Sequence, residues 1–214
     1  GFEEWLGEQR AGREKDEMAA VLAGRSVESC LDWLEGHMHV FYPSERGQYP
    51  QLEKLVACAM AQLADKVKRS AEEGDFDECE RLLGRAEELS ESGPAIDELK
   101  SLVMKHLHDR VAEAVGAKEI LECNELIERA ENVDPEGSGV AAMKSMLAGV
   151  FYKTALGYYK RQKFWDANQE LSSCFALVED DSNCTRLQGR IEKAEERQRA
   201  AEERRERAKA RRIN

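Results

Sequence analysis

Four prolines in 214 residues leave this chain few obligatory breaks, because proline inside a helix removes a hydrogen bond and clashes with the preceding turn. Runs of β-branched residues are also scarce, and what remains is rich in good helix formers, so the composition predicts an all-α protein. No window approaches the roughly 18 apolar residues of a membrane-spanning helix, and the opening GFEEWLGEQR lacks the pattern of a secretory signal. The segment is therefore expected to be soluble and cytoplasmic, without a membrane partner. Because it starts at Gly1, it is expected to be processed or to be a soluble part of a larger protein. The six cysteines form no CxxC pair, and four of them occupy apolar positions of a repeat described below. They are expected to be free thiols packed as small hydrophobes in a reducing compartment, and neither disulfides nor metal ligands, with Cys174 and Cys184, which flank one turn, as the pair to expect if any is bonded.

Cations are in deficit, with 32 Lys and Arg against 43 Asp and Glu for a formal charge of −11. General nucleic-acid binding needs cations clustered over a face, and this balance argues against it. The chain also lacks GxxxxGK[ST], HExxH, GxSxG and GxGxxG. His37 and His39, like His106 and His108, stand two residues apart; on a helix they diverge and cannot share an ion. Adjacent carboxylates such as Glu72 and Glu73, or Glu87 and Glu88, point apart in the same way. No catalytic residue, cofactor, metal site or small-molecule substrate is expected, and the protein reads as a non-enzyme.

What the chain does have is a period. Phe76, Cys79, Leu83 and Ala86 recur after 44 residues as Ile120, Cys123, Ile127 and Ala130, and after 44 more as Phe164, Ala167, Leu171 and Cys174. A looser copy, Val27, Cys30, Leu34 and His37, stands 49 residues upstream of the first, the extra length lying in the Pro- and Gly-bearing loop 42–50. An amphipathic helix pair cannot cover its own apolar face, so repeated pairs stack and their contacts recur at fixed positions. Small residues such as Cys79 suit the close crossing within a pair, and large ones such as Leu83 suit the contact between pairs.

In order, the pattern predicts helices at 2–22, 26–40 and 51–73, then a short helix at 76–90 behind Gly74, with Asp75 and Glu78 as a capping box. Helices at 95–115, 118–132, 139–161 and 164–178 follow, separated by Ser92-Gly93-Pro94 and Asp134-Pro135-Glu136-Gly137. The last helix starts near Asn183. After Ile191 its only apolar residues are alanines until Ile213, and Glu and Arg alternate at supporting i, i+3 and i, i+4 spacings. The expected division is a repeat domain over 1–191 and a charged helical extension over 192–214.

The order aromatic, small, large, small, preceded by Gly74 and followed by Asp134-Pro135, resembles the second helix of the tetratricopeptide repeat. Tyr158 with Phe164 and Ala167 resembles the junction between its two helices. The resemblance covers most of residues 1–181 and implies a right-handed α-solenoid of stacked antiparallel hairpins. It departs in period, 44 residues against 34, which places about ten residues in each first helix and its entry turn. HEAT and armadillo repeats share the longer period, but no proline interrupts the long helices here.

The resemblance further implies a scaffold or adaptor that holds one or more proteins or peptides as a complex subunit. Its groove is expected at Lys68, Lys105, His108, Tyr152, Leu156, Tyr159 and Lys160. The Lys and Asn clamp that tetratricopeptide domains use for C-terminal carboxylates is not reproduced. Two alternatives are an enzyme accessory subunit and an RNA-associated factor. Nucleic acid is expected only through the C-terminal helix, where Arg204, Arg205, Arg207, Arg211 and Arg212 help to give residues 196–212 seven Arg and one Lys against four Glu.

Overall fold

In the computed structural model the described residues are 13, 16–24, 30–89, 93–135 and 137–213, apart from 38–49; the side chains of 35–37, 50–51 and 210–213 lie outside the description. Every regular element among them is helical, and there is no strand. Residues 16–22 form α1, followed by α2 (Cys30–His37), α3 (Pro50–Glu73), α4 (Phe76–Leu89) and α5 (Pro94–Ala117). Then come α6 (Ile120–Val133), α7 (Ser138–Lys160), α8 (Phe164–Leu177) and α9 (Ser182–Ile213). The chain divides into two compact units, Gly1–His106 and Leu107–Asn214, with the boundary inside α5.

The 44-residue period governs the element boundaries as well as the side chains. Long helices open at Pro50, Pro94, Ser138 and Ser182, and the short ones open at Phe76, Ile120 and Phe164. Proline suits the two openings it occupies, since its missing N–H would have no partner in a first turn.

Each junction from long to short helix is a tight turn, of two residues after α3 and α5 and of three after α7. Gly74, Lys118 and Gln162, spaced by 44, all take left-handed backbone, with φ of 78°, 65° and 59°. At each, two backbone bonds close the preceding helix: Gly74 N donates to the Ala71 carbonyl and Asp75 N to that of Ser70. Lys118 and Glu119 repeat this toward Val115 and Ala114, and Gln162 and Lys163 toward Tyr159 and Tyr158. This is the Schellman arrangement, which favours glycine because a Cβ is strained at positive φ. Only the first copy has glycine.

The next residue also opens the short helix, as the Asp75, Glu119 and Lys163 carbonyls accept from Cys79, Cys123 and Ala167. Asp75 alone adds a side-chain cap, its Oδ1 accepting from Glu78 N at 3.1 Å. The expected capping box is only half formed. Glu78 does not reach back but makes a two-pronged bond with Arg81, both contacts at 2.6 Å, and that bond is the main reason its carboxyl titrates below the usual range.

The core repeats along the long helices too. Leu52, Ile96, Val140 and Cys184 are buried, as are Leu55, Leu99, Met143 and Leu187, and Ala59, Val103, Leu147 and Ile191. In the first unit α3 packs on α2 and α4; in the second, α7 packs on α6 and α8, and α9 packs on α7 and α8. The register then fails in the fourth copy: buried Leu63 and Leu107 are followed by half-buried Phe151 and then Glu195, and buried Val67, Val111 and Ala155 by exposed Arg199. A fifth short helix would have to desolvate those charges, so the apolar stack ends at Ile191. The expected boundary at 191/192 lies inside α9, which stays helical to Ile213 while residues 192–209 are exposed or half-buried.

The six-thiol expectation is corrected. Cys30 is bonded to Cys58 between α2 and α3, and Cys174 to Cys184 between α8 and α9; only Cys79 and Cys123 are free. Helix packing brings these pairs together, as the sequence separations of 28 and 10 do not, so the cysteine argument for a reducing compartment fails. No helix among the described residues is long and apolar enough to cross a membrane. Of the first expected helix, 16–22 is helical with Met18 and Val21 buried, while Phe2, Trp5 and Leu6 lie outside the described residues, as do Val27 and His39.

Candidate protein-binding surfaces

In the first unit, α3 and α5 flank an open groove of about 800 Å³. Ala57, Ala61 and Ala64, one turn apart on α3, keep one wall low, and Leu99 and Leu102 of α5 form the other. Glu53 and Glu98 are the only charged residues of its lining. The apolar character belongs to this copy of the repeat. Val56 and Ala61 of the wall correspond to Lys100 and Lys105 44 residues on, and Lys100 there pairs with Glu87 at 2.8 Å.

In the second unit the distinctive surface surrounds α7. From Gly137 to Trp165 there is no Asp or Glu, while Lys144, Lys153, Lys160, Arg161 and Lys163 are all present. Lys144 is engaged with Glu131 of α6. Lys153 and Arg161 join Lys118 in lining a concavity of about 570 Å³ between the end of α5 and α7, with Gly116, Gly157 and Tyr158. The Arg161 guanidinium folds back over the Tyr158 ring, 5.8 Å from its centroid. Beside it, Tyr159 holds Arg190 of α9 over its ring at 4.8 Å and has Phe164 at 6.1 Å.

The free thiols do not form a reactive site. Burial, then the carboxylates of Asp75, Glu78 and Glu80, push Cys79 up to about 11, and burial likewise raises Cys123. Both stay protonated near neutrality, and a thiol is a poor nucleophile. Cys174, Asp181 and Cys184 are close enough to surround an ion. However, the sulfurs are bonded to each other, and Asp181 Oδ1 accepts from the Asn183 and Cys184 N–H groups at 2.9 and 2.8 Å. The cluster is a stapled and capped start of α9.

The residues expected to line a groove are divided between the units. Lys68 on α3 and Lys105 on α5 are exposed, and neither lines the apolar groove. His108 is half-buried, its Nδ1 3.8 Å from Asp109 Oδ1. Tyr152, Leu156 and Tyr159 are half-buried against the core made by α7, α8 and α9. Lys160 is exposed and shares a concavity with Tyr159, Arg197 and Arg205. Arg204, Arg205 and Arg207 are exposed on α9; Arg207 stands 3.8 Å from Glu203, and Lys209 pairs with Glu206 at 2.8 Å. The side chains of Arg211 and Arg212 lie outside the described residues. Lys118, Lys153 and Arg161 had not been singled out from the sequence. The signal that marks two of them is the run without an acid from 137 to 165.

No protein-family model, curated protein or solved structure matches the chain. Its helices, packed against one another at a fixed period, are compatible with a helical repeat fold.

Proposed function

We propose that the protein is a non-enzymatic scaffold: a right-handed, tetratricopeptide-like stack of antiparallel helix hairpins that holds a partner protein within a larger assembly. Support for the architecture comes from three junctions that share a left-handed residue and the same pair of closing backbone bonds, and from helix openings that recur every 44 residues. Support for the task comes chiefly from the groove between α3 and α5, which leaves an apolar wall open where the next copy of the repeat carries lysines. Its occupant is an amphipathic helix of the partner, with apolar residues on one face to cover Leu99, Leu102 and the alanine wall, and Lys or Arg at its edges opposite Glu53 and Glu98.

The test fills the groove. Ala61 is exposed on α3, so Ala61→Trp should leave the melting temperature unchanged while removing those proteins captured by the wild-type chain that carry such a helix. Capture that is identical for the wild type and Ala61→Trp would overturn the reading.

A further inference from the structure

We propose that the concavity between the end of α5 and α7 receives a phosphoserine or phosphothreonine side chain of a partner protein. The inference rests on the protein-binding reading above, but not on the apolar groove. Three cations, Lys118, Lys153 and Arg161, line one concavity, and its lining contains no carboxylate. In a chain of net charge −11 this is a local reversal of sign, and it continues through Lys160 and Lys163 in a stretch of 29 residues without an acid, 137–165. At physiological salt, charges separated by more than about 8 Å are largely screened, so the pocket's own cations decide what it attracts.

The ligand class follows from matching charges and acceptors. A carboxylate brings one charge, whereas a phosphoryl group brings nearly two and three strong acceptor oxygens, enough for three separate cations. Arginine adds a planar fork of donors suited to phosphate oxygens.

The backbone of Lys118 and the guanidinium of Arg161 are also positioned. Lys118 is held by the left-handed turn, where its N–H donates to the Val115 carbonyl at 3.2 Å. Arg161 lies back along α7 over Tyr158, near enough to Gly157 that a Cβ there would stand 3.9 Å from its Nη2. Gly116 and Gly157 put no side chain into the concavity. A nucleic acid would place further phosphates against the acidic remainder of the surface, whereas a single phosphorylated side chain meets only the basic patch.

The experiment measures fluorescence anisotropy with a peptide pool of degenerate flanks around a fixed phosphoserine. The same pool with serine, and a single-stranded RNA oligonucleotide, serve as comparisons. The phosphoserine pool should bind in a salt-sensitive manner and weaken at least tenfold in Lys153→Glu and in Arg161→Glu. Ala61→Trp should leave this binding unchanged, so that loss of the pocket and loss of the groove read out separately. Lys118→Gly provides a control for folding, since it should weaken binding severalfold while raising the melting temperature. Equal binding of the serine pool, insensitivity to all three pocket variants, or tighter binding of the RNA would each overturn the proposal.

Discussion

Lys100 Nζ stands 2.8 Å from Glu87 Oε1 between α5 and α4, and 44 residues further on Lys144 meets Glu131 between α7 and α6. The period has thus copied an ion pair between helices as well as the core. Both pairs are at the surface, where such contacts contribute about 0.2–1 kcal/mol. Lys144→Glu should destabilise by roughly that amount, and the swap Lys144→Glu with Glu131→Lys should recover most of it in urea titrations. A swap no better than the single change would mean that the pair does not couple.

The left-handed junctions should be improvable. Lys118 and Gln162 hold φ of 65° and 59° with a Cβ in place, a strain of about 1–2 kcal/mol. Lys118→Gly and Gln162→Gly should each stabilise by about 1 kcal/mol, and Gly74→Ala should cost about as much. Chemical denaturation is the measurement, and a loss of stability in both glycine variants would contradict the junction geometry.

Cys79 predicts a pH effect. Its thiol is buried, donates to the Val67 carbonyl at 3.7 Å, and is pushed up to about 11 in the fold against an ordinary 9.0. The folded state therefore keeps a proton that the unfolded chain has already lost. The stability from this group is complete below pH 9 and is lost as pH rises from 9 toward 11. Relative to Cys79→Ala, the wild type should lose about 2 kcal/mol over that interval. Parallel curves for the two proteins would show that the thiol is not held neutral.

The free thiols can be counted. Alkylation of the protein denatured without reductant should label Cys79 and Cys123 and leave Cys30, Cys58, Cys174 and Cys184 unmodified. Six labelled sites by mass spectrometry would remove both disulfides.

Glu195 and Arg199 stand where earlier copies place Leu107 and Val111. Glu195→Leu with Arg199→Val would extend the apolar stripe of α9 past Ile191 onto positions that are half-buried and exposed. The doubly substituted chain should self-associate in sedimentation velocity at concentrations where the wild type does not. Unchanged sedimentation would show that those charges do not end the stack.

The recurring side-chain sizes along the chain were sufficient for the period, for the order of long and short helices, and for most of the core. Cys79, Leu83 and Ala86, like Ala167, Leu171 and Cys174, are buried as their spacing requires. Boundaries expected at 76–90, 139–161 and 164–178 fall within a residue of those observed. Helix geometry explains this success, because it turns residue spacing directly into a face, and a face that must be covered admits few alternatives. Folding alone decided what depends on partners distant in sequence or on backbone angles that side chains do not announce. Nothing in Lys118 or Gln162 marks them as left-handed; they are forced there because a one-turn reversal has to occur at that point in every repeat. Among six scattered cysteines only Cys174 and Cys184, which flank one turn, stand out as a pair; nothing in the sequence distinguishes Cys30 and Cys58 from Cys79 and Cys123, since pairing requires two helices to bring the sulfurs together. The basic concavity was half legible, as the run from 137 to 165 marks Lys153 and Arg161. Lys118 lies outside that run and meets them only because the end of α5 is carried beside α7.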